Sequence, residues 1–311
     1  MNKERGVAIT ETITILIFMS LGNVFNKLAL TTIPPLSFAW ISIAIGMVCL
    51  SMYTFVIRRE RIPAGLGRQV WSFILLIGFF NFVVGRIALI ISLSLLPATT
   101  HTYLTNFIGF IRMIISIFML KESPTIFQVI GAVIALGGLR VFFTQVPPPT
   151  ELFGVALIAI GITGVAFTNN VARKLSIVTK NQLSNTVVLT LAILFGGCIT
   201  ILVGLFLEGA PRITGWDNWG ILLYSGVIVT AIGLTVWNNI LRTLRSYEAS
   251  ILGASTVILT ALLAIPILGE ELSFNHIIGI LLMLIGLSLL QVRAGNLGYL
   301  FKKVKQQGID L

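Results

Sequence analysis

Two arginines stand inside long apolar stretches of this 311-residue chain. Arg112 lies near the middle of the run from Thr102 to Leu120, and Arg86 lies inside the run from Trp71 to Leu93. A guanidinium in hydrocarbon costs several kcal/mol unless it faces a partner or a wet cavity. Its planar fork of donors fits a carboxylate or a phosphate with two parallel hydrogen bonds. The chemistry these residues point to is anion binding inside an apolar bundle. No Asp or Glu lies deep in any apolar stretch; Glu11 is near the start of the first and Glu248 opens the ninth. A cation exporter or a carboxylate proton relay needs such a buried acid. The counter-charge of the arginines is therefore expected to be the substrate itself.

Other polar residues join them. His101, Thr105, Arg112 and Ser116 follow at steps of four, seven and four, which places them on one face of a continuous helix. The plainer alternatives are an arginine satisfied by helix-end carbonyls or water, and an ordinary interfacial histidine. Arg86 is about two turns from the outer end of its stretch and could reach the interface instead. Ser20, Asn23 and Lys27 form one polar stripe, and Thr163, Phe167, Asn170 and Lys174 form another. Such stripes either line a cavity or hold helices together. Lys27 could equally anchor its helix at the outer surface. Trp237, Asn238 and Asn239 make an aromatic–amide cluster, which either packs on a substrate or belongs to the interfacial aromatic belt. The candidate substrate-binding set is Arg112, Arg86, His101, Thr105, Asn23, Lys27, Asn170, Trp237 and Asn238.

The elements that must position these residues are membrane helices. Hydrophobic residues make up 56% of the chain and charged ones 10%, against about 25% charged in soluble domains; the mean hydropathy is +1.00. About 20 apolar residues span a bilayer as a helix. Ten such stretches are expected, near 9–29, 36–57, 70–93, 100–120, 125–144, 152–172, 183–207, 219–241, 248–268 and 274–292. Turn signals such as Ile33-Pro34-Pro35, Leu96-Pro97 and Pro147-Pro148-Pro149 separate them. With the N-terminus inside, 16 of the 21 Lys and Arg residues fall in cytoplasmic segments. This asymmetry puts both termini in the cytoplasm.

The net charge of +10 is spread between apolar runs and argues against nucleic acid. Cys49 and Cys198 both sit in apolar runs, so neither a disulfide framework nor a metal site is expected. Lys3 and Arg5 precede an apolar run, as in a signal peptide. That run continues past signal length and carries Asn23, Asn26 and Lys27, so it reads as the first membrane helix.

The chain repeats itself. Leu120-Lys121-Glu122-Ser123-Pro124 is echoed by Leu268-Gly269-Glu270-Glu271-Leu272, and Gly131 and Gly138 by Gly279 and Gly286. Asn23 similarly faces Asn170. Five helices is an odd number, so the second half enters the membrane inverted, with a substrate site expected between the halves. The expected division is 1–148 and 149–311. Glu122, Glu270 and Glu271 lie at loop edges, where capping is the expected role.

On the Leu268–Ser273 stretch, its echo at Leu120–Ser123 and the glycines that follow each, the chain resembles the EamA-type ten-span members of the drug/metabolite transporter superfamily. The resemblance implies an all-α integral membrane fold with a cavity lined by spans one to four and six to nine. The family often carries a proline in its fourth and ninth spans, near Gly109 and Val257; this chain has none there. The expected function is secondary transport of a small anionic or zwitterionic metabolite, such as an amino acid or organic acid, by alternating access. The alternative is a lipid or polyprenyl-phosphate translocator. An enzyme is not expected, because paired carboxylates and metal ligands are missing from the spans. No cofactor is expected. The expected partners are the substrate and membrane lipid, with monomer and homodimer both open, in a bacterial cytoplasmic membrane.

Overall fold

The computed structural model describes residues 3–63, 65–121, 123–180, 182–243 and 252–290; for residues 3–9, 120, 238, 239 and 241–243 it describes the backbone alone. Among the described residues the regular elements are all helical. In chain order they are α1 (Thr10–Ala29), α2 (Pro35–Ile57), α3 (Arg68–Leu95), α4 (Ala98–Met119), α5 (Ile126–Phe142), α6 (Pro149–Val178), α7 (Asn185–Leu207), α8 (Trp216–Trp237), α9 (Leu252–Leu268) and α10 (Phe274–Leu290). Seven are long and apolar enough to cross a membrane; α5, α9 and α10 are shorter. The α1 helix begins at Lys3, and helical backbone continues beyond α8 to Thr243.

Local chemistry sets the helix ends. Proline opens α2 and α6 at the first helical positions and precedes α4 as Pro97, where a missing N–H is harmless. Left-handed Lys121 (φ 54°) and Gly269 (φ 69°) terminate α4 and α9. The α6 helix outruns its expected limit at 172 and ends at Val178. Arg173 and Lys174 do not stop it, because cations near a helix C-terminus favour the helix dipole.

Each helix runs opposite to the one before it. Thus α2, α4, α6, α8 and α10 begin at one end of the bundle, here termed the proline end. The other, arginine end carries Arg58, Arg59, Arg61 and Arg68. The features of the first half recur 148 residues later. The α5 and α10 helices begin in this register, at Ile126 and Phe274. Their first turns carry the same reciprocal cap, Thr125 with Gln128 and Ser273 with His276. The helices α3 and α8 begin in register, at Arg68 and Trp216.

Three register-related pairs pack antiparallel. In α5 and α10, Gly131 meets Gly286 and Gly138 meets Gly279, so close that a Cβ on Gly131 would lie 2.5 Å from the Gly286 carbonyl oxygen. In α2 and α7, Thr54 bonds Thr190 at 2.7 Å near one end, and Trp40 lies against Gly204 near the other. In α4 and α9, the start of one meets the end of the other through Glu270.

Both halves are also irregular at matching places. The α3 helix is π-helical over Gly78–Gly85, and α8 over Tyr224–Ile232. The α4 helix breaks at Asn106–Phe107 and α9 at Ser255 (107 and 255 share the register). No proline causes these breaks. Asn106 Nδ2 and Thr105 Oγ1 both donate to the Thr102 carbonyl, at 2.8 and 2.9 Å. Ser255 Oγ donates to the Leu252 carbonyl at 2.6 Å. Short polar side chains here compete with the backbone for its own acceptors. The break in α4 falls between Thr105 and Arg112, so His101, Thr105, Arg112 and Ser116 do not share the single helical face that their spacing suggested.

Candidate substrate-binding site

At the proline end an apolar plug gathers four helices. Ala29 of α1, Phe38, Ala39 and Ile41 of α2, Ile90 of α3 and Leu222 of α8 form one buried cluster. One turn deeper, each of these helices presents a polar residue: Asn26, Ser42, Arg86 and Ser225. Asn26, Ser42 and Ser225 are buried. Arg86 Nη2 donates to Ser42 Oγ at 2.7 Å, joining α3 to α2. Gly226 brings α8 against the same point; a Cβ there would lie 2.8 Å from the Ser42 carbonyl oxygen. Only glycine allows so close a backbone approach.

The bonding in this layer is incomplete. Asn26 Oδ1, Arg86 Nε and Ser225 Oγ are enclosed and have no hydrogen-bond partner. A buried polar group without a partner costs about 1–3 kcal/mol, and more when charged. Three on helices that share one plug mark a place where a ligand or water supplies the missing bonds. Arg86 follows directly on the π-helical turn of α3, and Ser225 lies within that of α8. Such turns re-aim side chains and recur at functional sites. Among the described residues no carboxylate pairs with Arg86; the ion pair found there is Arg58–Glu60 at the arginine end.

A second polar group lies between α1, α4 and α9. Asn23 Nδ2 donates to Thr102 Oγ1 and Ser20 Oγ to the Thr256 carbonyl, both at 3.4 Å. His101 is buried, its Nε2 lying 3.1 Å from the Leu89 carbonyl oxygen of α3, and its Nδ1 has no partner. Thr260 Oγ1 is likewise enclosed and partnerless. His101 therefore sits in the bundle and not at its rim, and it bonds α3 one turn from Arg86.

The remaining sequence candidates take other places. Lys27 Nζ donates to the carbonyls of Leu93 and Ser94, both at 3.0 Å, and so caps the end of α3. It also lines an open cleft of about 440 Å³ with Thr31, Pro97 and Glu270. Thr105 bonds its own helix. Asn170 is fully buried and donates to the Arg112 and Ala166 carbonyls, each at 3.2 Å, while its Oδ1 lacks a partner. Arg112 is exposed. Trp237 packs with Ile15, Leu16 and Leu252 and against Gly253. The side chain of Asn238 lies outside the described residues, as do Glu122 and Glu248.

Sequence reasoning passed over Asn26, Ser42 and Ser225. A serine in an apolar helix ordinarily bonds its own backbone, and Ser42 does so to Phe38 at 2.5 Å. Only tertiary packing reveals that Arg86 shares that hydroxyl. For Asn26 the signal was its position within the polar stripe between Asn23 and Lys27.

Comparison with known proteins agrees with this architecture. The EamA-like transporter family matches residues 8–144 and again residues 152–292. An uncharacterized transporter of Clostridium kluyveri is 27% identical over 215 residues, covering 65% of this chain and 68% of that one. The uncharacterized transporter YetK of Bacillus subtilis is 27% identical over 272 residues, 83% of this chain and 78% of its own. YoaV of the same organism, also an uncharacterized transporter, is 24% identical over 279 residues, 84% and 88%. A crystal structure of a protein 15% identical superposes with a TM-score of 0.66 over 96% of this chain and 99% of that one, which shows a shared fold. Two family matches that together cover most of the chain settle its membership: it belongs to the EamA-like transporter family.

Proposed function

We propose that this EamA-family membrane transporter carries a small anionic or zwitterionic metabolite, and that Arg86 holds its acidic group. The carrying observation is the Nε of Arg86, a charged donor enclosed in the bundle with no partner and, among the described residues, no paired carboxylate. A carboxylate could take Arg86 Nε and the remaining guanidinium donors in parallel. The neighbouring orphans differ in kind: Asn26 Oδ1 only accepts, and Ser225 Oγ can accept or donate. A bare anion leaves Asn26 unmatched. A metabolite with an ammonium or hydroxyl next to its carboxylate matches both.

In this reading the ten helices are ten spans with both termini in the cytoplasm, in a bacterial cytoplasmic membrane. Residues 1–148 and 149–311 are inverted repeats, and the substrate crosses by alternating access between them. The arginine end faces the cytoplasm. Arg86, Asn26, Ser42 and Ser225 form the anion layer; His101 and Asn23 flank it. Arg112, beyond the break in α4, is exposed.

The test is counterflow in proteoliposomes, with wild type and Arg86→Met, over a panel of amino acids, hydroxy acids, sugar phosphates and quaternary amines. Exchange of a carboxylate by wild type and its loss in Arg86→Met support the reading. Exchange of cations alone overturns it. Movement of a labelled phospholipid with no soluble substrate overturns it in favour of lipid translocation.

A further inference from the structure

Two carboxylates at the proline end cap helices across the bundle. Glu208, just after α7, accepts from the Leu36 and Ser37 backbone N–H groups at 3.2 and 2.6 Å and from Ser37 Oγ at 2.7 Å. It thereby closes the first turn of α2. Glu270, just after α9, accepts from the Ala98 and Thr99 N–H groups at 2.5 and 3.1 Å and closes the first turn of α4. A carboxylate on a helix N-terminus satisfies orphan donors and meets the positive end of the dipole.

The repeat assigns Glu208 a counterpart. In the 148-residue register Glu208 corresponds to Glu60, and Leu36 and Ser37 to Ser184 and Asn185. Glu60 stands three residues past the end of α2 and Glu208 directly past α7; Leu36 and Ser37 are the second and third residues of α2, and Ser184 and Asn185 are the cap and first residue of α7. The antiparallel α2–α7 pair, joined by Thr54 and Thr190, sets the end of α2 beside the start of α7. Yet the cap is missing there. Glu60 Oε1 lies 3.8 Å from Arg58 Nη1, and its Oε2 is enclosed without a partner. The start of α7 is held by Ser184 Oγ, which accepts from the Thr186 N–H at 3.3 Å. The same chemistry is thus assembled at one end of the α2–α7 pair and disassembled at the other.

We propose that Glu60 and Glu208 are alternating latches of the α2–α7 pair. In the state described here Glu208 caps α2 and Glu60 is disengaged. In the opposite state of an inverted-repeat cycle the halves exchange conformations. Glu60 then caps the Ser184–Asn185 turn of α7, and Glu208 releases α2. Glu60 is a positioning residue: it biases the two-state equilibrium and does not touch substrate. A residue that bonds in one state only shifts the population by its differential interaction. The proposal rests on the two-state transport reading, not on the assignment of Arg86.

The test uses the full chain with Cys49→Ser and Cys198→Ser, spin-labelled at one end of the pair at a time. Pro34→Cys with Ala210→Cys reads the proline end, and Arg61→Cys with Gln182→Cys reads the arginine end. Distance distributions are measured without ligand. Glu208→Gln should lower the ratio of short to long distances at the proline end, and Glu60→Gln should raise it, each about threefold or more as expected for a lost helix cap. Glu60→Asp should restore part of the wild-type distribution. Shifts in the same direction, or a single population that neither substitution moves, would overturn the proposal. Retained substrate binding in Arg86→Met with these opposite shifts intact would overturn the Arg86 assignment and leave the latch standing alone.

Discussion

Arg86 and Arg112 look alike in the sequence and differ in the structure. Arg112 lies deeper in its apolar stretch, yet it is exposed, on the far side of a break in α4. Arg86 lies nearer the end of its stretch, yet its Nε is enclosed and its Nη2 bonds Ser42. Depth along a hydropathy profile therefore does not measure burial. What separates the two is helix geometry: a π-helical turn aims Arg86 into the bundle, and a break at Asn106–Phe107 changes the phase of Arg112.

This contrast can be broken at several points. The largest effect is expected at Arg86. Arg86→Met should weaken binding of the carboxylate substrate by about thirtyfold or more, since truncating one partner of a buried charge pair costs about 2–5 kcal/mol; equilibrium binding in detergent checks it. The same substitution should raise the melting temperature of the ligand-free protein. It removes a half-buried guanidinium whose enclosed Nε lacks a partner, and a buried polar group of that kind is destabilising. A purely structural arginine would give the opposite sign.

A smaller effect is expected at Lys27. Lys27→Met strips two carbonyl bonds from the end of α3 and should cost about 1–2 kcal/mol of stability. Substrate affinity should change less than in Arg86→Met. A thermal melt beside a binding isotherm separates the two. Ser225→Ala removes one partnerless hydroxyl and should alter affinity by about tenfold at most, with stability unchanged or raised. The smallest effect is expected at Arg112: with Arg86 holding the acidic group, Arg112→Ala should leave the dissociation constant within about threefold. A larger loss would move the anion site to the arginine end.

Much of the architecture was legible in the sequence, because long apolar runs and their proline and glycine punctuation are local signals. The expected span at 70–93 became Arg68–Leu95, and the expected start at 274 is the start of α10. The 148-residue echo around Glu122 and Glu270 extended to the starts of two helix pairs, to caps and to breaks. Loop-edge capping, expected for Glu270, is what Glu270 does. The breaks themselves were not legible, since the proline that would announce them is missing and the cause is a set of threonine, asparagine and serine side chains bonding their own turns. The site was legible in kind and not in detail. A buried arginine without an acid could be read from composition and spacing, but the sequence favours Arg112 as the residue that binds the acidic group and leaves Arg86 to add positive potential. Its neighbours Asn26, Ser42 and Ser225 could not, because their meaning lies in bonds left unmade between helices far apart in the chain.

The most direct measurement is ligand-induced thermal stabilisation of the purified protein with wild type, Arg86→Met and Arg112→Ala side by side. A ligand that binds the native state raises its apparent stability by mass action. The account predicts that an amino or hydroxy acid stabilises wild type and Arg112→Ala but not Arg86→Met, whose ligand-free melting temperature is already raised. Stabilisation of Arg86→Met equal to wild type, or its loss in Arg112→Ala alone, would contradict the central claim that Arg86 holds the substrate.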